Sequence, residues 1–296
     1  MSPSDDVWRA ARARVAVRRI AAVVATTSIL LASAVALVGA HDLYLRPRDF
    51  IVRAGAAVQV RVLNGTFTTS EGAVARERLH DLTVVGPTGR SRSDRSAWTN
   101  AGKESQWRVI LSEPGTHVLG ASLSPRTIRL AGTEFNEYLR EDGLADVLAA
   151  RRTAGQLDSA AHERYAKHVK ALVRVQGRSR GAGPDTAHRV ALGYPAELVP
   201  LDDPYLLGPR GTLRVLALVD GHPVRNQIVQ AGGRTASGAE IEQRELRTDS
   251  GGMVRLQPNV RGIWYVKFIS MQSVAVSTGD SVNYESKWAT LTFARP

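Results

Sequence analysis

The segment SQWRVILSEPGTHVLGASL, residues 105–123, decides the predicted fold class. Its first part alternates polar and apolar side chains, as expected of a strand with one buried face. Pro114 and Gly115 then mark a turn, and a second short run of strand-forming residues follows. Two short strands separated by a turn indicate a β-sheet protein.

The same pattern continues toward the amino terminus. Strand-like runs occupy residues 56–67 and 80–90, and Asn, Gly and Pro residues supply the turns between runs. Short strands at this spacing predict an N-terminal β-sandwich over residues 41–130.

Residues 131–193 have a different composition and predict a helical insertion that ends in a loop. The segment 133–176 has no proline and is rich in Ala, Leu, Glu and Arg. Apolar residues recur there at helical spacing in three places. They are Phe135, Tyr138 and Leu139; Leu144, Val147 and Leu148; and Tyr165, Val169, Leu172 and Val173. We therefore expect two or three helices, followed by the Gly- and Arg-rich loop at 177–186.

The strand pattern returns in residues 194–296. The run 212–233 predicts two strands around a turn at Asp220-Gly221, and the run 245–258 predicts a hairpin. Together with later strand-like runs, this pattern predicts a second sandwich of about one hundred residues.

The first forty residues predict an export signal. Residues 1–19 are basic, residues 20–38 carry no charge, and small residues follow. This order is that of a secretory signal, cut between Ala40 and His41. The apolar run approaches the length of a membrane span, so an uncleaved anchor formed by residues 20–38 is the alternative. Either way the bulk of the chain is expected outside the cytoplasm, as a periplasmic, secreted or membrane-anchored protein.

Composition removes several classes of function. The chain has no cysteine, which excludes zinc–cysteine sites and thiol catalysis. Its net charge is +11, but the arginines of the exported part are scattered singly, so we expect solvated faces and no nucleic-acid partner. We find no nucleophile elbow, phosphate loop or zinc-protease helix, so we expect no enzymatic activity.

His41 is the first candidate metal ligand. After cleavage, its free α-amine and its ring nitrogen could bind one divalent ion, because a metal displaces the amine proton near neutral pH. Asp42 could add a carboxylate. His80 and His117 are the favoured second ligands, since both lie at strand positions of the same predicted domain. Nitrogen ligands of this kind suit nickel, cobalt, copper and zinc.

Several segments resemble a family of bacterial secreted proteins of unknown function, grouped with nickel- and cobalt-uptake accessory (NikK-like) proteins. The resembling segments are HDLYLRP (41–47), EFNEYLREDGL (134–144), ERYAKHVKALVRV (163–175), AELVPLDDPYLL (196–207), TDSGGMVRL (248–256) and YESKWATLTF (284–293). The resemblance implies a leader, an N-terminal sandwich, a helical insertion, a C-terminal immunoglobulin-like module and a role in metal handling. This chain has Ser270 where relatives commonly have a histidine, which weakens the implied metal role.

The predicted fold is therefore mainly β, with two immunoglobulin-like β-sandwich domains, a helical insertion between them and an N-terminal signal or anchor helix. The predicted function is an exported, non-enzymatic protein that binds or delivers nickel or cobalt to a membrane metal-uptake transporter. One alternative is a copper-binding protein or a copper monooxygenase-like enzyme built on an N-terminal histidine. Another is a structural or adhesion module of immunoglobulin type.

Overall fold

The computed structural model describes residues 41–177, 185–276 and 280–296. The predicted leader, residues 1–40, lies outside the described residues, as does most of the loop predicted at 177–186. From His41 onward the chain forms one compact unit. Among the residues described, no helix has the length and apolar character needed to cross a bilayer.

The described chain is mainly β, as predicted, with two short α-helices. The strands are β1 (Asp42–Pro47), β2 (Ile51–Arg53), β3 (Ala56–Gly65), β4 (Leu79–Gly86), β5 (Gly89–Arg92), β6 (Trp98–Ala101), β7 (Glu104–Leu111), β8 (Gly115–Leu123), β9 (Arg126–Leu130), β10 (Ala161–Gln176), β11 (Ala196–Pro200), β12 (Leu213–Val219), β13 (His222–Pro223), β14 (Ile228–Thr235), β15 (Glu240–Arg247), β16 (Met253–Leu256), β17 (Gly262–Ser273) and β18 (Tyr284–Arg295). The helices are α1 (Gly132–Glu141) and α2 (Ala145–Thr153).

The strands form three sheets. The first sheet has the order β1-β3-β7-β6. The central sheet runs β15-β14-β17-β18-β10-β8-β4-β5, and β2 and β9 also pair with β10. The third sheet has the order β11-β12-β13, and β16 also pairs with β12.

Strand β10 is buried on both faces because it lies between the other two sheets. Val169 and Val173 pack in one core together with Trp107 of the first sheet. Leu172 points to the opposite side and packs in a second core with Val215 of the third sheet. Alternate side chains of a strand point to opposite faces, so these contacts define a three-layer arrangement around the middle of the central sheet.

The helix expected over residues 165–173 is wrong, because this segment is part of strand β10. Its apolar residues match a helical spacing, but a strand buried on both faces has no polar–apolar alternation to reveal it. Its partner is also remote in sequence, since β10 pairs in parallel with β18 from Glu163–Tyr284 to Ala171–Thr292. The helical part of the prediction is confirmed for α1 and α2 only.

The central sheet draws strands from all three predicted segments, 41–130, 131–193 and 194–296. An arrangement of two immunoglobulin-like sandwiches is therefore not confirmed. The hairpin predicted at 245–258 is wrong as well, because β15 pairs with β14 while β16 pairs with β12. The turn at Asp220-Gly221 is confirmed, with φ angles of 50° and 80° at the two residues.

Candidate functional site

His41 lies directly before β1, at the start of the described chain. Its ring Nε2 is 3.0 Å from Oε2 of Glu71, and both side chains are partly exposed. Lys167 of β10 donates a hydrogen bond to the His41 carbonyl oxygen. In a neutral ring, the contact with Glu71 places the hydrogen on Nε2 and leaves the lone pair on Nδ1.

A buried network of charged groups begins at the next residue, Asp42. Nζ of Lys267 is 2.5 Å from Asp42 Oδ2 and 3.5 Å from Asp142 Oδ1, and the Lys267 side chain is only 7% exposed. The hydroxyl of Tyr44 also donates to Asp42 Oδ2, at 2.8 Å. The second oxygen of each aspartate is buried and has no hydrogen-bond partner among the described residues. One lysine therefore serves two buried carboxylates.

The end of helix α1 places Asp142 in this network. Asp142 follows the last residue of α1, and Gly143 then turns the chain with a φ of 71°. A Cβ at Gly143 would lie 2.4 Å from Nε2 of Gln230 and would displace the end of that side chain, while the backbone angle itself favours glycine.

The surroundings shift the pKa values of this network strongly. Burial raises the pKa of Asp142 to about 7, with a further contribution from the Asp42 carboxylate, while Lys267 opposes the shift. Burial lowers the pKa of Lys267, but Asp42 and Asp142 outweigh it, so the net pKa lies above the usual value. Burial lowers the pKa of Lys167 to about 8 against the pull of the nearby carboxylates.

Lys167 joins this network to an aromatic group. Its Nζ lies 4.7 Å from the ring centre of Trp288. Glu163, on the same strand, accepts hydrogen bonds from Tyr138, at 3.1 Å, and from Ser286. Burial raises the pKa of Glu163, although these hydrogen bonds oppose it. Both Lys167 and Glu163 are almost fully buried, so the arrangement is suited to holding β1, α1 and the central sheet together.

The structure does not bring His117, one of the two predicted second ligands, to His41. His117 of β8 pairs with Val173 of β10, six positions along the strand from Lys167, which is about 20 Å at the rise of a strand. His80 lies on β4 and is exposed. Asp42 is close to His41 in sequence but is engaged by Lys267. Within residues 41–177, 185–276 and 280–296 there is no group of three or more side chains suited to hold a metal ion.

His117 instead occupies a separate position. It is buried, and its Nδ1 lies 3.3 Å from the carbonyl oxygen of Gly115. Burial lowers the pKa of His117, although this carbonyl and Glu113 oppose the shift. The ring lines a cleft beside the β4–β5 hairpin.

Sequence reasoning misses four residues of the site, namely Glu71, Asp142, Lys167 and Lys267. A signal is present for the two lysines, which interrupt the apolar runs YAKHV (165–169) and YVKFI (265–269). Lysine is almost never fully buried unless it is paired, so such positions indicate buried carboxylate partners. Nothing in the local pattern marks Glu71 or Asp142 as those partners.

Comparison with known proteins places the chain in a family. The family model for a domain of unknown function, DUF4198, matches residues 38–272, and the chain belongs to this family. A search of curated proteins found no match.

Two matches to solved structures have low TM-scores. One is a DUF4785 family protein from Legionella pneumophila, with 12% identity over 74% of this chain and 49% of that chain, and a TM-score of 0.21. The other is a tetra-tandem repeat from the extending region of a large adhesion protein, with 12% identity over 87% of this chain and 50% of that chain, and a TM-score of 0.22. This chain thus spans about half the length of each.

Proposed function

We propose that the protein is an exported, non-enzymatic metal-binding protein that holds a divalent transition metal at His41 as its first residue. The observation that carries this proposal is the 3.0 Å contact between His41 Nε2 and Glu71 Oε2. A carboxylate that accepts from one ring nitrogen of a metal-binding histidine fixes the tautomer and makes the other nitrogen a better ligand. Here that other nitrogen is Nδ1, the ring nitrogen nearer to the main chain.

A chain that begins at His41 has its α-amine on the same residue as Nδ1. The two nitrogens can bind one ion together, and Glu71 orients the ring from the opposite side. Lys167 holds the His41 carbonyl oxygen, so the backbone at the ligand is anchored to the central sheet. Asp42 does not complete this site, because Lys267 and Tyr44 already engage its carboxylate.

The choice of metal follows from the ligands and from the family resemblance. An amine and an imidazole favour nickel, cobalt, copper or zinc over magnesium or calcium. The resemblance to NikK-like proteins points to nickel or cobalt, delivered to a membrane uptake transporter. A site with two nitrogen ligands from one residue leaves several coordination positions to water, which suits an ion that is passed on rather than stored.

The buried network supports a role other than catalysis. Lys167 and Glu163 are closed off from solvent, and Lys267 is 7% exposed at its side chain. A general acid or base must reach the substrate within hydrogen-bond distance, and these groups are covered. We therefore assign them to positioning β1, and with it His41.

Calorimetric titration with Ni²⁺ and Co²⁺ tests the proposal on protein prepared to begin at His41. We expect binding with a dissociation constant below about 10 μM. A chain that begins at Leu37 has no free amine at His41 and should lose this binding. The His41→Ala variant should lose it as well. Glu71→Gln should weaken it at least about tenfold, because it removes the orienting carboxylate.

His80→Ala is the matched control, since His80 is an exposed histidine of the same unit and should leave the titration unchanged. Equal binding by the chains that begin at His41 and at Leu37 would refute the role of the amine. The export step is tested by N-terminal sequencing of protein secreted with its own leader, and an intact leader would refute it.

A further inference from the structure

A cleft of about 400 Å³ lies beside the hairpin formed by β4 and β5. Its walls are residues 86–91 of the hairpin, residues 110–113 at the end of β7, and His117 of β8. These segments belong to both the first and the central sheet, so the cleft opens where the two layers meet. It is distinct from the surroundings of His41.

His117 presents one ring nitrogen to this cleft. The carbonyl oxygen of Gly115 can only accept, so its 3.3 Å contact with Nδ1 places the hydrogen there. In the neutral ring the lone pair is then on Nε2. No described residue makes a hydrogen bond to Nε2, although the residue as a whole is buried. A backbone carbonyl on the second nitrogen is a common partner of metal-binding histidines.

Glu113 converges with His117 on the same small space. The position that a Cβ would occupy on Gly86 is 2.8 Å from His117 Nε2 and 3.6 Å from Glu113 Oε2. The hydroxyl of Thr88 donates to the Glu113 carboxylate at 2.5 to 2.6 Å and so holds its orientation. Gly86 has an ordinary backbone angle, so the role of glycine here is to make room for the His117 ring, whose Nε2 and Cδ2 would lie 2.8 and 2.9 Å from a Cβ.

The arginines near this space are directed elsewhere. Arg174, whose charge acts on His117, donates to Asp185 Oδ2 at 2.8 Å. Arg90 lines the cleft, but its guanidinium donates to the carbonyl oxygen of Leu192 at 3.0 Å and lies 4.0 Å from Asp81. The groups that face the space beside Gly86 are therefore a neutral imidazole nitrogen and a carboxylate.

We propose that His117 Nε2 and the Glu113 carboxylate bind a divalent transition-metal ion in the cleft beside Gly86. Imidazole and carboxylate suit nickel, cobalt, copper or zinc, at bond lengths near 2 Å, and the open cleft leaves room for water at the remaining positions. Both ligands are held from behind, by the Gly115 carbonyl and by the Thr88 hydroxyl. The site is independent of His41 and does not rest on a free amino terminus.

Titration with Co²⁺ alone tests this site, in protein that carries His41→Ala so that the first site is absent. We expect one Co²⁺ to bind, as measured by its visible absorption. The His117→Gln variant should lose this signal. Gly86→Ala should weaken binding at least about tenfold, because its Cβ would displace the His117 ring. Thr88→Val should act in the same direction through Glu113. His80→Ala is the matched control and should bind as well as its parent.

Far-ultraviolet circular dichroism and urea unfolding show whether each variant is folded. If His117→Gln does not fold, the Gly86→Ala and Thr88→Val pair decides the question. The proposal is overturned if the His41→Ala protein binds no Co²⁺, or if folded His117→Gln, Gly86→Ala and Thr88→Val bind it unchanged. Neither result would affect the His41 proposal, which is tested by the dependence on the free amine.

Discussion

Lys267 provides the sharpest test of the buried network, because one ammonium group lies within reach of two buried carboxylates. Lys267→Met keeps the length and the apolar stem of the side chain but removes the charge. Asp42 and Asp142 would then remain buried with no cation between them. Removal of one partner from a buried ion pair costs about 3–5 kcal/mol, since the other charge stays desolvated. The total unfolding free energy of a typical domain is about 5–15 kcal/mol, so we expect Lys267→Met to lose a large part of it.

Urea unfolding followed by tryptophan fluorescence at pH 7.5 measures this loss. Lys287→Met is the matched control, because Lys287 also lies on a strand and pairs with a carboxylate, Asp220, at 2.5 Å. That pair is exposed at 30% and 59% of its two side chains, so its loss should cost less than about 1 kcal/mol. If the unfolding free energy of Lys267→Met lies within about 1 kcal/mol of that of the control, the view that the network stabilises the fold is refuted.

Three further changes test other parts of the molecule. Asp142→Asn should flatten the pH dependence of urea stability between about pH 4 and 7. In the native protein the raised pKa of about 7 keeps a proton on Asp142 in the folded state that the unfolded chain releases. The unfolding free energy therefore falls as pH rises through this window. Equal slopes of unfolding free energy against pH in the native protein and in Asp142→Asn would contradict this. Lys170→Met leaves the buried carboxylate of Glu197, its partner at 2.8 Å, without a cation and should cost about 3–5 kcal/mol of unfolding free energy; an unchanged variant would count against this pair. Trp107→Ala should lower the unfolding free energy by about 3–5 kcal/mol, and a loss below about 1 kcal/mol would show that the first core is not close-packed.

Much of the local structure could be predicted from sequence. The strands β7 and β8, the helix α1 and the turn at Asp220-Gly221 all lie where apolar spacing and turn chemistry indicate them. These signals are local, because each depends on side chains within a few positions of one another. The mainly β class follows from them directly.

The connections between strands could not be predicted in the same way. Segments 105–123 and 245–258 each read as two strands around a turn, yet in both the turn carries the chain from one sheet to another. A turn signal states that the chain reverses and does not state which strand it pairs with next. Pairing is decided by the apolar faces that become buried together, and those faces come from distant parts of the chain.

The candidate site also has parts that the sequence predicts and parts that depend on contacts between distant segments. His41 as a metal ligand and the export signal before it are hypotheses of the sequence alone, drawn from one short segment. Only the tertiary structure brings Glu71 to that histidine and separates it from His117. It also brings Lys267 to Asp42 across 225 positions, where two charges become stable in the interior only because each lies beside the other.

Strand β10 shows the physical reason most clearly. Its sixteen residues carry apolar side chains toward both neighbouring layers, and its charged side chains are satisfied by partners on α1, β11 and β18. A segment of this kind has no exposed face, so its sequence lacks the alternation that distinguishes a strand from a helix. The sequence determined that this segment would be buried, and the two sheets that cover it decided that it would be a strand.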